Sequence, residues 1–185
     1  MQTNDRFVVV DLETTGLSPQ KGDCIVEIGA VLVEGGSKKA TFQTLVDPRR
    51  LIPYYAQRVH GISDKMVKGA PTVEEAIPLF LEFAQDSCLV SHNARFDRGF
   101  LDFFHPGLGH PHLDTILLSR RLIPGLSSYK LDVLIEELNL AISGRHRALG
   151  DAEATADLLL HLMNLSGEIS EILPRCLIPN RCASA

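Results

Sequence analysis

Positive charge is in short supply: 18 Lys plus Arg face 23 Asp plus Glu over 185 residues, a formal net charge of −5. Binding to nucleic acid by bulk charge scales with the number of phosphates neutralised, so broad coating of a polyanion is excluded. Paired cysteines are missing too. Cys24, Cys88, Cys176 and Cys182 form no Cys-x-x-Cys, which removes zinc knuckles and redox dithiols. No apolar stretch approaches the roughly 20 residues that cross a bilayer. The polar start, Met1-Gln-Thr-Asn-Asp5, lacks the basic flank and apolar run of a signal peptide. The expectation is a cytoplasmic chain with reduced cysteines and no membrane partner. Internal repeats, low-complexity tracts and an internal linker are also absent, and the length fits roughly one domain that needs no disulfides.

What is present reads as strands first and helices later. Phe7-Val-Val-Val-Asp-Leu12 is a buried strand, ending at Thr14-Thr-Gly16. Cys24 to Val33 and Lys39 to Val46 form a hairpin around Glu34-Gly-Gly-Ser37, with Gly35 and Gly36 accepting positive φ. Thr72-Val-Glu-Glu75 is a capping box opening a helix to about Gln85, with a kink or late start at Pro78. Cys88-Leu-Val90 is a short strand. Helices follow over Asn93–Phe104, Asp114–Leu122, Tyr129–Leu138 and about Gly150–Met163, with Asp114 and Ser128 as N-caps. A mixed sheet covered by helices, an α/β fold, is the expected architecture. Residues 1–166 are read as the domain and 167–185 as a C-terminal tail packed on it or trailing it.

Three acidic clusters carry the chemistry. Asp11 and Glu13 stand two apart at a strand end, so both side chains share one face. Like charges this close repel unless a cation lies between them, and hard oxygen ligands suit Mg²⁺ or Mn²⁺. A polar strand end is the alternative. In Ser91-His-Asn-Ala-Arg-Phe-Asp97, Asp97 lies four residues beyond Asn93 on one helical face; helix capping explains this segment equally well. In Arg145-His-Arg-Ala-Leu-Gly-Asp151 the aspartate complements a helix dipole, and His146 alone reads as a solvated loop histidine. The joint pattern is harder to obtain by chance than any one piece.

These motifs resemble the DEDDh 3′-to-5′ exonucleases. Val10-Asp-Leu-Glu-Thr-Thr-Gly-Leu17, His92-Asn-Ala-Arg-Phe-Asp97 and His146-Arg-Ala-Leu-Gly-Asp151 stand in the family's order, with Ile25-Val-Glu-Ile-Gly-Ala30 and Val59-His-Gly-Ile62 as further matches. The resemblance spans roughly Phe7 to Leu165 and implies a ribonuclease H-like mixed sheet flanked by helices. It makes Asp11, Glu13, Asp97 and Asp151 ligands of two divalent ions, Mg²⁺ or Mn²⁺, and His146 the general base. It assigns Thr14, Thr15, Gly16, Leu17, His60, Asn93 and Phe96 to the pocket for the terminal nucleotide. Core packing is an equal reading for Phe96, and a structural role an equal reading for His60 and His92. Gly16 is expected to let backbone approach the ligand. Glu27, isolated in an apolar strand, can hydrogen-bond behind the ligands. Arg145 and Arg147 flank the base and are expected to meet the incoming strand, while the pairs Arg49-Arg50 and Arg120-Arg121 read as solvated.

The resulting expectation is a metal-dependent hydrolase of single-stranded or frayed nucleic-acid 3′ ends, DNA before RNA, that releases nucleoside 5′-monophosphates in proofreading or repair. An RNA-trimming exonuclease uses the same five residues. An inactive binding module would be expected to lack one of the ligands, and all are in place. Association with a DNA polymerase is a further implication. The tail from Gly167 shows neither a long linker nor a clamp-binding motif, so a free-standing nuclease or an excised domain is expected over a replicase subunit tethered by that route.

Overall fold

The computed structural model describes residues 6–140, 146–165 and 169–178. Strands β1 (Arg6–Thr14), β2 (Ile25–Glu34) and β3 (Ser37–Leu45) come first. β2 pairs antiparallel with both others, and Gly35 and Gly36 make the β2–β3 turn at φ 56° and 73°. β4 (Cys88–Ser91) and β5 (His112–Asp114) then run parallel to β1, and β6 (Leu177–Ile178) closes the edge antiparallel to β5. The sheet order is β3-β2-β1-β4-β5-β6. Helices α1 (Tyr54–His60), α2 (Asp64–Val67), α3 (Val73–Ala84), α4 (Ala94–Phe104), α5 (Thr115–Leu122), α6 (Leu131–Glu137), α7 (Ala148–Leu165) and α8 (Ile169–Ile172) complete the described chain.

Residue alternation along β1 divides the core in two. Phe7 and Val9 face one layer with Val31, Val90, Leu134, Leu158 and Leu162, while Val8 and Val10 face the other with Ile28, Phe80, Leu89 and Phe100. Both faces of the sheet are therefore covered, which is why β2 is an unbroken apolar run except at Glu27. The mixed sheet flanked by helices is the architecture expected from the sequence.

Several local expectations change. Helix α3 is capped as expected, with the Glu75 carboxylate accepting from the Thr72 amide at 2.8 Å, but it continues through Pro78. Helix α6 starts at Leu131 with Lys130 at its N-cap, and Ser128 Oγ accepts from the Lys130 amide at 3.3 Å. Helix α7 begins at Ala148, two residues early. Helices α1 and α2 and strands β5 and β6 have no counterpart in the sequence reading. α1 buries only Ala56 and His60, leaving no apolar stripe, and β5 and β6 are too short for a period to show.

One packing contact sets where α7 begins on the sheet. Gly29 lies on β2 opposite Asp11, and the backbone of Ala148 and Leu149 presses against it; a Cβ there would sit 2.2 Å from the Ala148 carbonyl carbon. Only glycine lets the start of α7 come this close. Gly29→Ala is expected to destabilise the chain by about 2 kcal/mol through forced displacement of α7. Urea unfolding checks this; an unchanged midpoint would contradict the close seating.

Candidate active site

Because β4 and β5 run parallel to β1, their C-terminal ends gather at one edge of the sheet, the position where ligands bind in open α/β sheets. Ser91 ties that edge together, its hydroxyl donating to the Val10 carbonyl at 2.7 Å. Asp114 caps α5 through Oδ1, which accepts from the Ile116 amide at 2.8 Å, while Oδ2 accepts from the Ala94 amide at 3.1 Å and so holds the start of α4.

Asp11 and Glu13 project from β1, and Asp151 comes from the first turn of α7. One oxygen from each lies within 4.8 Å of the other two. Asp97, in the first turn of α4, is buried at their side, and its Oδ1 accepts from the Leu12 amide at 3.2 Å. Burial, then the charges of Asp151 and Glu27, push the Glu13 carboxyl up to about 8 against the pull of Arg147. Burial likewise pushes Asp97 up to about 8, against backbone hydrogen bonds at its own position and Leu12 and with the charges of Asp114 and Glu13. Four clustered carboxyl groups, of which Glu13 and Asp97 resist ionisation, offer only hard oxygen donors and fit a divalent cation, whose charge would offset the repulsion.

His146 is exposed and holds a left-handed backbone at φ 63°, immediately before α7. Arg145 lies outside the described residues. The guanidinium of Arg147 turns inward to fork the Glu27 carboxylate instead of facing an incoming strand. Despite its burial, Glu27 is held below the usual carboxylate range by Arg147, the Ala148 amide and Gln43.

The Thr14–Leu17 turn is internally braced. Thr14 donates to the Gly16 carbonyl at 2.6 Å, and Thr15 Oγ1 accepts from the Cys24 amide at 3.0 Å. Gly16 also makes room for a neighbour: a Cβ there would meet the Asp23 carboxylate at 2.4 Å. Leu17 stands at the tip, 85% exposed. Tyr55 of α1 donates to the Thr15 carbonyl, and His60 is buried below with Nδ1 accepting from the Ile62 amide. Asn93 is exposed in the left-handed region at φ 75°, a conformation that Asn tolerates better than most residues. Phe96 is half-buried against Phe100, with ring centroids 5.2 Å apart. His92 bridges Thr115 and the Tyr129 carbonyl, both at 2.9 Å, as a structural crosslink.

Beside Asn93 opens a cavity of about 640 Å³ whose wall includes Arg120, Ser127, Ser128 and Lys130. Arg120 also stacks over the Tyr129 ring at 5.1 Å. The sequence reading passed over this cavity because its residues are scattered along 40 positions of loop and helix. Their one local signal, the Arg120-Arg121 pair, reads as solvated.

An exonuclease family model, RNase_T, matches residues 8–159. The chain is 42% identical over 160 residues to DNA polymerase III PolC-type of Clostridium perfringens, covering 84% of this chain and 11% of that protein. It is 38% identical over 162 residues to DNA polymerase III subunit epsilon of Aquifex aeolicus, covering 85% of this chain and 80% of the relative. Among solved structures it is similar to Exonuclease X in complex with 5′ overhanging duplex DNA. There the TM-score is 0.79 and the identity 34%, over 92% of this chain and 98% of that one.

The raised carboxyls make stability depend on pH. Protonated Glu13 and Asp97 stabilise the metal-free fold fully below their unfolded values, and that contribution is lost as pH rises through about 8. His112, held down at about 3 chiefly by burial, is neutral in both states above roughly pH 7 and adds no slope there. In EDTA the melting temperature is expected to fall from about pH 7 to pH 8.5, and millimolar Mn²⁺ to raise it more at the higher pH. Differential scanning calorimetry checks both; a Mn²⁺ effect independent of pH would contradict the assignment.

Proposed function

The chain belongs to the RNase_T exonuclease family, of the DEDDh type, and on that premise we propose that it shortens single-stranded or frayed DNA from the 3′ end, releasing nucleoside 5′-monophosphates. The observation that carries this reading is the convergence of Asp11, Glu13 and Asp151 within 4.8 Å, with buried Asp97 at their side. These four carboxylates would hold two divalent cations, Mg²⁺ or Mn²⁺, which when bound would supply Lewis-acid activation of water and neutralise phosphate charge.

The chain's own groups do the rest. His146, exposed on its left-handed turn, takes the proton of the attacking water, a task for which imidazole is the side chain best suited near neutral pH. Leu17, exposed at the tip of a braced turn, packs against the terminal base, a contact blind to base identity. Thr14, Thr15 and Gly16 supply the backbone of that turn, buried His60 supports it from below, and Asn93 and the edge of Phe96 complete the pocket. Upstream nucleotides run through the cavity beside Asn93, where Arg120 and Lys130 meet phosphates. DNA is favoured over RNA, and proofreading or repair beside a DNA polymerase is the setting, because the relatives are DNA polymerase III proteins. The chain spans only about 11% of the PolC-type relative, so these parts of the reading rest on likeness between domains.

End-labelled DNA and RNA oligonucleotides, incubated with Mg²⁺, Mn²⁺ or EDTA, test the reaction. Metal-dependent shortening from the 3′ end, faster on DNA, is expected; no cleavage of either polymer would overturn the reading. His146→Ala is expected to lower kcat by about 100-fold or more at neutral pH. Reversing both charges in Arg120→Glu/Lys130→Glu should raise KM for a long oligonucleotide about tenfold, with a much smaller effect on p-nitrophenyl thymidine 5′-phosphate. Equal effects on the two substrates would remove the cavity from the strand's path.

A further inference from the structure

Glu27 is the one acidic residue inside an otherwise apolar stretch, with both neighbours along β2 fully buried. A carboxylate with no exposed surface is costly unless every lone pair is used. Here four donors converge on it. Oε1 accepts from Gln43 at 2.9 Å and from the Arg147 guanidinium, and Oε2 accepts from Arg147 Nε and from the Ala148 backbone amide, both at 3.0 Å. Arg147 thus forks both oxygens, a geometry that fixes the plane of the guanidinium as well as its distance. Two consecutive residues, one by side chain and one by main chain, are pinned to a strand in the middle of the sheet. The residue immediately before them is His146, in a backbone conformation that non-glycine residues adopt only when their surroundings impose it.

We propose that Glu27 is a positioning residue for His146: by clamping Arg147 and the Ala148 amide onto β2, it imposes the left-handed turn that presents the imidazole to the carboxylate cluster. This rests on the general-base role given to His146 above. The clamp fixes the turn that carries His146, while the charges of Glu27 and Arg147 act on Glu13 in opposite senses; Asp151 lies one helical turn further along α7, a helix that Leu158, Leu159 and Leu162 anchor in the core. Gly29 and Glu27 divide the work: the first lets α7 approach, and the second orients the residues that lead into it.

The test uses p-nitrophenyl thymidine 5′-phosphate with the wild-type chain, Glu27→Gln, Arg147→Lys, His146→Ala and the double variant Glu27→Gln/His146→Ala. Glu27→Gln keeps the shape but loses the charge that holds the fork; Arg147→Lys keeps the charge and loses the fork, and serves if the first variant folds poorly. Both are expected to lower kcat about tenfold while KM and the half-saturating Mn²⁺ concentration stay within about twofold. In the His146→Ala background, Glu27→Gln should cost less than about twofold more, because the two act through one group. Amide order parameters of residues 146 and 147 should fall from the rigid value of about 0.85 toward 0.6 in Glu27→Gln. Unchanged kcat and order parameters would overturn the proposal. So would losses that multiply with His146→Ala, or a metal affinity that falls in step with kcat. A wild-type chain inactive on this ester with Mn²⁺ would instead overturn the exonuclease reading itself.

Discussion

The seating of α7 on β2 is the contact on which the site depends. Asp11 and Glu13 are brought together by local geometry alone, two positions apart on one strand. Asp151 is 138 positions beyond Glu13 and reaches them only because the first turn of α7 lies directly against Gly29. A side chain at position 29 would hold the helix off the sheet, and the third carboxylate with it. The four hydrogen bonds on Glu27 then set the angle of the chain as it enters that helix.

Close seating has an electrostatic cost that the fold does not relieve by itself. Burial and mutual repulsion push Glu13 and Asp97 toward their protonated forms. A divalent cation would offset that cost, because its charge favours the ionised carboxylates. Glu27 shows the other solution to a buried carboxylate: a guanidinium fork and two further donors hold it below the usual carboxylate range. Two acidic residues that face each other across β1 and β2, Glu13 and Glu27, are thus shifted in opposite directions, because Arg147 forks Glu27 directly. The acidic composition that excluded bulk binding of nucleic acid is in part this cage.

Much of the frame was legible in the sequence because its signals are local. The strands β1 to β3 and the β2–β3 turn follow from apolar runs and Gly35-Gly36, and α3, α4 and α5 from caps and 3.6-residue spacing. The proximity of Asp11 to Glu13 is a matter of strand period. What joins them to Asp97 and Asp151 is long-range packing, and without the family's motifs the spacing would have left each cluster with an ordinary structural explanation. Other features were illegible for particular reasons. Gly29 stands among apolar residues and gives no hint that a helix presses on it. Arg147 reads as a surface cation until its partner, 120 residues earlier, is seen. Gly16 gives no hint in the sequence that the Asp23 side chain lies against it.

The central proposal is that the Asp11–Glu13–Asp151 cluster, with Asp97, is a divalent-cation site. Anomalous diffraction at the manganese edge, from crystals grown with Mn²⁺ and a nucleoside 5′-monophosphate, tests that claim most directly. It predicts manganese peaks bounded by the carboxylates of Asp11, Glu13, Asp97 and Asp151, with the monophosphate on the metal and its base beside Leu17. Manganese bound elsewhere, or a nucleotide that leaves these carboxylates uncontacted, would contradict it.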